Sequence, residues 1–174
     1  MRKLKYHVAC TVDGFIAHQD GSYDGFLIEG EHVTDYLASL NTYDIVLMGR
    51  KTYQVGLDVG VTNPYPTMRQ YVFSRTLEKS PDANVTLVAE NLIEVVKELK
   101  GEAGKDIYLC GGAELAATLL QANLIDEIVL KLNPLLYGTG IPLWAGVIRQ
   151  TDLALMSTKV YNNGVVLLQY QVKY

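Results

Sequence analysis

Apolar residues recur along the N-terminal half of the chain at spacings that predict alternating strands and helices. Residues 4–10 alternate as in a half-buried strand, and residues 45–48 are apolar without interruption, as in a strand buried on both faces. Residues 49–57 are expected to open a short helix, and residues 71–74 and 85–88 to form two more strands. Between the first two strands, a helical stripe is formed by Val33, Tyr36, Leu37 and Leu40.

The C-terminal half continues the alternation and then changes to a hairpin. A helix is expected after Asn91, which has the spacing of a capping box with Glu94. The segments DIYLC, GGAELAATLLQAN and EIVLKLNP then predict a strand, a helix and a strand, and Asn163-Gly164 is a strong hairpin signal. The pattern therefore predicts an α/β fold, in which a central, mostly parallel sheet has helices on both faces and ends in an antiparallel hairpin.

Composition restricts the partners and the location of the protein. The 174 residues are 49% apolar and 20% charged, and no linker divides them, so we expect one domain over residues 1–174. The net charge of −4 and the lack of a basic stripe argue against a nucleic-acid partner. No apolar run approaches the roughly 18 residues of a membrane span, so we expect no membrane partner and a cytoplasmic location. Cys10 and Cys110 are expected to be free thiols, and no metal site is expected.

Polar residues or paired glycines follow three of the predicted strands. Helix N-termini and guanidinium groups bind phosphates, and glycine lets the backbone approach a ligand closely. Taken singly, each of the three motifs, in chain order, has an ordinary structural explanation: a capped helix with solvated cations for the first, a polar loop for the second and close packing for the third. Because ligands of open α/β sheets bind at the carboxyl ends of the strands, their recurrence predicts a phosphate-rich ligand such as a dinucleotide. The three motifs are Gly49-Arg50-Lys51-Thr52, Ser74-Arg75-Thr76 and Gly111-Gly112.

Two familiar phosphate-binding signatures are not found in the sequence. It contains no G-x-G-x-x-G, so the standard Rossmann fingerprint is missing. The segment GEAGKD at 101–106 resembles part of a P-loop, but it follows a helix and has the wrong glycine spacing. We interpret it as a helix end and a turn.

Five segments, taken in order, carry a family resemblance. They are ACTVDGFIA, LMGRKTY, YVFSRTL, IYLCGGAELAATLL and LIDEIVLKLNPLLYGTGIPLW. With them the chain resembles the dihydrofolate reductase-like superfamily, in the branch that contains the reductase domain of bacterial riboflavin biosynthesis and its small stand-alone relatives. The resemblance extends over nearly the whole chain and implies a dihydrofolate reductase-like three-layer fold.

The resemblance also implies that the cofactor is NADPH. Residues 49–52 match the family's loop around the cofactor phosphates, and Ser74-Arg75 matches the pocket for the 2′-phosphate. Gly111-Gly112 matches a pair at the pyrophosphate that is often joined by a cis peptide bond, and residues 9–17 contain the segment that covers the nicotinamide. The implied cofactor-binding residues are Ala9, Ile16, Ala17, Gly49, Arg50, Lys51, Thr52, Ser74, Arg75, Gly111, Gly112, Ala113 and Glu114.

The sequence departs from the family pattern in three places. Dihydrofolate reductase carries a carboxylate on its first helix that faces the pterin, whereas the apolar stripe predicted above turns Glu31 and Asp35 to the opposite face. The riboflavin reductase commonly has an acidic residue just before Gly-Gly, where this chain has Cys110. The H-x-E and P-C-x-x-C zinc signatures of a deaminase do not occur, so no deaminase activity is expected.

The implied function is an NADPH-dependent reductase that transfers hydride to a small heterocycle. The substrate would be pterin- or pyrimidine-like, as for dihydrofolate reductase or 5-amino-6-(5-phosphoribosylamino)uracil reductase. The alternative is a nucleotide- or pterin-binding protein without turnover, which the missing helix carboxylate favours. A homodimer is expected, because the family often forms one and the C-terminal strand is apolar.

The segment TVDGFIAHQDGSYDG, rich in turn signals, is expected to be a long, mobile loop that acts as a lid. Within it, Asp13 is the candidate for substrate contact or proton delivery, although Asp-Gly is also an ordinary turn sequence. Tyr53, Tyr65 and Trp144 are candidates for the wall of a flat substrate pocket, with plain packing as the alternative.

Overall fold

The computed structural model describes residues 1–146 and 149–174. The strands are β1 (Leu4–Thr11), β2 (Phe15–Ala17), β3 (Tyr43–Gly49), β4 (Arg69–Phe73), β5 (Val85–Val88), β6 (Asp106–Gly111), β7 (Glu127–Asn133), β8 (Ile141–Pro142), β9 (Asp152–Val160) and β10 (Val166–Lys173). The α-helices are α1 (Glu31–Ser39), α2 (Arg50–Asp58), α3 (Leu92–Gly101) and α4 (Ala113–Gln121). In this described part of the chain, no helix combines the length and the apolar character that crossing a membrane requires.

Eight strands form the central sheet, in the order β5-β4-β3-β6-β1-β7-β10-β9. Neighbours from β5 to β7 pair in parallel, whereas β10 pairs antiparallel with both β7 and β9. A second, small sheet consists of β2 and β8. The predicted mostly parallel sheet and the C-terminal hairpin are thus confirmed.

The apolar run in β3 lies at the centre of the molecule. Ile45, Val46, Leu47 and Met48 are at most 1% exposed. Because side chains alternate along a strand, Ile45 and Leu47 join a core cluster with α3 and α4, whereas Val46 and Met48 join a second cluster with side chains of α1 and α2. Helices therefore cover both faces of the sheet, as predicted.

The predicted capping box at the start of α3 is wrong. Asn91 is the residue before the helix, but its backbone is left-handed, with φ of 56°, and its side chain makes no capping hydrogen bond. A side-chain cap requires extended backbone at that position, because only then does the side-chain oxygen reach the free N–H groups of the first turn. The start of α3 is therefore left uncapped by side chains.

The predicted inward face of α1 holds for Tyr36 and Leu40, which pack against the second core cluster, but not for Leu37. Leu37, expected to be buried, is 57% exposed, whereas His32 is 3% exposed. The His32 ring lies 3.0 Å from the Leu27 carbonyl oxygen through Nε2 and 3.1 Å from Asn163 Nδ2 through Nδ1. Polar contacts of this kind fix the rotation of the helix, and a count of apolar spacings does not detect them.

The segment expected to be a long, mobile loop contains a strand. Residues 15–17 form β2, which pairs with β8 of the 134–146 region. Aromatic stacking joins the same two regions, because the Tyr137 ring stacks with His18, at 3.8 Å, and with Phe26, at 5.5 Å between ring centroids. The segment is therefore a structured flap held by specific contacts.

Candidate functional site

A cavity of about 1260 Å3 opens at the carboxyl ends of the parallel strands. The ends of β3, β4, β5 and β6 line it, together with the first residues of α2, α3 and α4. It continues along β1 and β7 to α1 and the β9–β10 hairpin. Open α/β sheets bind ligands at this edge, and the volume exceeds the roughly 300–1000 Å3 of a pocket for one drug-sized molecule.

Three helices begin at one end of the cavity without a side-chain cap. The residues before α2, α3 and α4 are Gly49, Asn91 and Gly112, and none of them makes a capping hydrogen bond through a side chain. The first N–H groups of a helix have no partner within the helix and carry partial positive charge. We call this end of the cavity, formed by residues 49–52, 74–76, 88–92 and 112–115, the helix-start end; its N–H groups suit an anion with several oxygens.

Cationic side chains surround the helix-start end. Arg50 and Arg75 line the cavity, are exposed, and make no hydrogen bond or ion pair with the residues that the structure describes. Lys51 also lines the cavity and forms an exposed ion pair with Glu114, with 3.5 Å between Nζ and Oε1. Two guanidinium groups without a partner thus remain available to a ligand at this end.

Ser74 is buried and holds the turn that follows β4. Its Oγ accepts hydrogen bonds from the backbone N–H groups of Leu77, at 2.9 Å, and Thr76, at 3.3 Å. The hydroxyl proton is not used in these bonds, so Ser74 can donate it to an acceptor in the cavity. The Arg75 side chain follows directly and adds a cation.

The other end of the cavity is lined by a connected group of phenols and a thiol. The Tyr36 hydroxyl lies 3.1 Å from the hydroxyl of Tyr108 and 3.5 Å from that of Tyr65. The Tyr65 hydroxyl lies 3.4 Å from Cys110 Sγ. Burial raises the pKa of Tyr36 and of Cys110, so both stay neutral near pH 7. We call this region, together with Ala9 on β1 and the cavity-facing residues of α1, the aromatic end.

A carboxylate of α1 also lines the aromatic end. Asp35 Oδ2 accepts hydrogen bonds from Lys159 Nζ, at 2.6 Å, and from the Tyr161 hydroxyl, at 2.7 Å. The Lys159 bond, with the Tyr161 bond, holds the pKa of Asp35 below its ordinary value. Asp35 is therefore ionised at neutral pH, and the expectation that the first helix turns its carboxylates away from the site is wrong for this residue.

Two basic groups face the same end. Lys131, on β7, lines the cavity, and burial lowers its pKa. His7, on β1, is 7% exposed, and burial lowers its pKa to about 4, so its imidazole is neutral at pH 7. The aromatic end thus offers one carboxylate, one ammonium group and several neutral hydroxyls to a ligand.

Nearly all residues that the sequence assigned to the cofactor lie together in this cavity. Gly111 is the exception, because it is buried beneath the surface that Gly112 contributes. The peptide bond between these two glycines is cis, as the resemblance implies. That any of the assigned residues contacts a cofactor stays a prediction. Those that line the cavity are Ala9, Ile16, Ala17, Gly49, Arg50, Lys51, Thr52, Ser74, Arg75, Gly112, Ala113 and Glu114.

Asp13, the candidate for proton delivery, does not line the cavity. Its carboxylate is exposed and accepts hydrogen bonds from the Thr11 hydroxyl and from the backbone N–H groups of Tyr137, at 3.2 Å, and Gly138, at 2.7 Å. The Thr11 bond, more than any other, holds the pKa of Asp13 below its ordinary value. Asp13 therefore joins the flap to the 137–138 loop, which corrects its assignment to the reacting centre.

The three aromatic residues predicted to line a substrate pocket have different positions in the structure. Tyr65 lines the aromatic end. Tyr53 also lines the cavity but is 1% exposed, and its hydroxyl donates to the Thr62 carbonyl at 2.6 Å, so it mainly holds the loop after α2. Trp144 does not line the cavity; it packs edge-on against Tyr6, with ring centroids 5.1 Å apart.

Sequence reasoning missed the polar residues of the aromatic end. A signal existed for Lys131, because a cation interrupts an otherwise apolar strand in EIVLKLNP. Asp35 was missed because the apolar stripe of α1 placed it on the face opposite the site. Tyr161 was missed because it lies in the hairpin turn, far from the other site residues in the sequence. These residues are Tyr36, Asp35, Tyr108, Lys131 and Tyr161.

Comparison with known proteins gives a match over almost the whole chain. The family model described as the RibD C-terminal domain matches residues 2–167. The uncharacterized protein YwjB of Bacillus subtilis is 34% identical over 167 residues, which cover 95% of this chain and 96% of YwjB. The riboflavin biosynthesis protein RibD of Corynebacterium ammoniagenes is 28% identical over 82% of this chain, and the match spans 46% of that longer protein.

Solved structures show the same fold. A putative riboflavin biosynthesis protein from Shewanella sp. PV-4 superposes with a TM-score of 0.85 at 25% identity, over 100% of both chains. The deaminase and 5-amino-6-(5-phosphoribosylamino)uracil reductase of Thermotoga maritima superposes with a TM-score of 0.76 at 15% identity, over 99% of this chain and 57% of its own. The architecture is therefore the dihydrofolate reductase-like fold of RibD domains, as the sequence predicted.

Proposed function

Because the chain belongs to the RibD C-terminal domain family, we propose that it is an NADPH-dependent reductase that transfers hydride to a small heterocyclic substrate. The observation that carries the proposal is the arrangement of one cavity, in which the anion-binding helix-start end is continuous with the aromatic end. A dinucleotide has the same arrangement, since its phosphates and its reactive ring are at different places along one molecule.

The helix-start end fits the phosphates of NADPH. The uncapped N–H groups of α2, α3 and α4 need acceptors, and a bound phosphate supplies oxygens to them. A Cβ atom added at Gly112 would lie 3.2 Å from Thr52 Oγ1, so a side chain at this position would press on the first turn of α2. Ser74 and Arg75, which follow β4, would hold the 2′-phosphate and favour NADPH over NADH.

The aromatic end fits a flat, polar heterocycle. When it is bound, NADPH supplies the hydride. The residues of β1 and β2 that the resemblance assigns to the nicotinamide, Ala9, Ile16 and Ala17, also line the cavity. The phenols of Tyr36, Tyr65 and Tyr108 would bind the substrate edge and exclude water from the reacting ring.

Asp35 supports turnover rather than binding alone. The alternative of a binding protein without catalysis rested on the absence of a carboxylate facing the site from the first helix. Asp35 lies on α1 and lines the cavity, so the main support for that alternative is removed. As an ionised group, Asp35 would orient a substrate by accepting hydrogen bonds from N–H groups of the substrate. A pterin- or pyrimidine-like ring offers such groups.

A titration with NADPH and with NADH tests the proposal. Reduced-nicotinamide fluorescence follows binding, and loss of nicotinamide absorbance follows turnover with pterins and with pyrimidine intermediates of riboflavin synthesis as substrates. We expect NADPH to bind at least about tenfold more tightly than NADH, a difference of roughly 1.4 kcal/mol. If neither nucleotide binds, the reductase proposal is rejected; if both bind equally, the assignment of Ser74 and Arg75 to the 2′-phosphate is wrong.

A further inference from the structure

Lys131 lies in the middle of the sheet, beside the place where the reaction would occur. Its backbone pairs with Ala9 of β1 on one side and with Leu167 of β10 on the other. All three residues line the cavity. The Lys131 side chain therefore starts directly beside Ala9, which the resemblance assigns to the nicotinamide segment.

Lys131 has no carboxylate partner among the residues that the structure describes. Its Nζ donates a hydrogen bond to the Leu27 carbonyl oxygen at 2.6 Å. Burial is the cause of its lowered pKa, and no acidic group counteracts that effect. A half-buried ammonium group has three donors, and a single carbonyl satisfies one of them. The remaining donors are available to a ligand with acceptor atoms.

The phosphates of the cofactor are too far away to be that ligand. β7 is separated from β3 by β6 and β1, which makes three strand spacings of about 4.8 Å each, or roughly 14 Å. The anion-binding residues 49–52 follow β3, and Ser74 and Arg75 follow β4, which is one strand further away. A lysine side chain is much shorter than this separation.

We propose that Lys131 is a substrate-binding residue that recognises an acceptor oxygen, carbonyl or anionic, on the ring held at the aromatic end. The assignment of this end to the substrate rests on the proposed function. Asp35 lines the same cavity, so a ring that reached both residues would offer an acceptor oxygen to Lys131 and an N–H donor to Asp35. A ring that carries amino groups in place of its oxygens loses the contact with Lys131.

Two pteridines that differ in this feature test the proposal. Pteridine-2,4-dione carries two carbonyl oxygens, and pteridine-2,4-diamine carries two amino groups in their place. We expect the wild-type protein to bind the dione more tightly, and Lys131→Met to weaken dione binding about tenfold or more without weakening diamine binding, as measured by calorimetry. Lys131→Arg, which keeps the cation, should restore most of the dione affinity.

The diamine separates ligand recognition from support of the Leu27 segment. Lys131 Nζ donates to the Leu27 carbonyl oxygen, so a variant that only releases this segment would disturb the binding of both pteridines. If Lys131→Met weakens diamine binding as much as dione binding, Lys131 acts only by holding that segment and the proposal is overturned. It is also overturned if the wild type does not bind the dione, or if Lys131→Met leaves dione binding unchanged.

The affinity for NADPH distinguishes failure of this proposal from failure of the proposed function. Lys131→Met is expected to bind NADPH as the wild type does, because the phosphates lie at the helix-start end. If NADPH binding falls with dione binding intact, Lys131 contacts the cofactor and the present assignment is wrong. If the wild type binds no NADPH but binds the dione through Lys131, the reductase proposal fails while the assignment of Lys131 stands.

Discussion

Gly49, at the end of β3, lies against Gly112, at the start of α4. A Cβ atom added at Gly49 would lie 3.4 Å from the Gly112 backbone nitrogen and 3.7 Å from the Gly111 carbonyl oxygen. Two helix N-termini thus meet at backbone distance, with no side chain between them. The proposed pyrophosphate site depends on this approach, because N–H groups reach a ligand only where side chains do not keep it away.

Replacement of Gly49 tests that relationship. The Gly49 backbone has φ of −77°, which alanine adopts without strain, so Gly49→Ala is expected to fold. The added methyl group would occupy the surface between α2 and α4 and weaken NADPH binding about tenfold or more, as measured by fluorescence titration. Gly101→Ala is the matched control, because no atom lies within 4 Å of a Cβ added there. Equal NADPH affinity of the two variants would contradict the pyrophosphate assignment.

The specificity for the 2′-phosphate is expected to depend on Arg75. Removing the guanidinium group deletes a charged donor to that phosphate, so Arg75→Ala should weaken NADPH binding about tenfold or more and leave NADH binding unchanged. Lys79→Ala is the control, because Lys79 is exposed in the same connection but does not line the cavity. The measurement is the ratio of the two dissociation constants, and an unchanged ratio in Arg75→Ala would exclude this role.

The helix-start end could be predicted from the sequence because its signals are local. A buried apolar strand, a glycine and a cation are adjacent in the chain at Met48, Gly49 and Arg50, and the fold adds only the neighbouring strand ends. The parallel direction of the paired strands follows from the alternation of strands and helices along the chain. β2 could not be predicted in this way, because three residues become a strand only by pairing with β8, which is remote in sequence.

The aromatic end could not be predicted, because its residues come from distant elements. Asp35 is brought into the cavity by a rotation of α1 that His32 and Tyr161 fix through hydrogen bonds. A hydrophobic stripe records apolar burial alone and so placed Leu37 inside. Asp13 was proposed for proton delivery because an acidic residue in a lid suggests chemistry. In the structure its carboxylate oxygens instead accept hydrogen bonds from the backbone N–H groups of Tyr137 and Gly138.

Asp35→Asn is expected to reduce turnover at neutral pH. The ionised carboxylate is the acceptor that would orient the substrate, so its loss should lower kcat/KM about tenfold or more while NADPH affinity stays the same. Glu31→Gln is the matched control, because Glu31 contacts the same Lys159, at 2.7 Å, but does not line the cavity. A similar loss of turnover in both variants would assign the effect to Lys159 and not to the substrate.

The same carboxylate gives a pH dependence of stability with a definite sign. The pKa of Asp35 is lower in the folded protein than in the unfolded chain, where it is about 3.9. Its contribution to the free energy of unfolding is therefore present above that value and is lost as pH falls through the folded pKa. Asp35→Asn should lower the melting temperature at pH 7 and have little effect near pH 2, and an equal decrease at both pH values would contradict this.

His7 is expected to destabilise the fold in mild acid. Burial lowers its pKa to about 4, whereas an unfolded histidine has a pKa of about 6.5, so between these values the unfolded chain binds the additional proton. The free energy of unfolding should fall by about 3 kcal/mol from this group alone between pH 7 and pH 4. Denaturant unfolding of the wild type and of His7→Leu over this range measures the difference, and parallel pH profiles would contradict the prediction.

We propose that two copies of the chain associate through the apolar face of the β9–β10 hairpin. Val160 and Leu155 are 70% and 58% exposed, and they pair with Val166 and Tyr170 on the face of β10 that also carries the core residue Val172. Burial of this face would favour a dimer. Light scattering should give twice the 19.3 kDa chain mass for the wild type and the monomer mass for Leu155→Glu. Ser157→Glu, with its side chain on the opposite face, is the control, and a monomeric wild type would reject the interface.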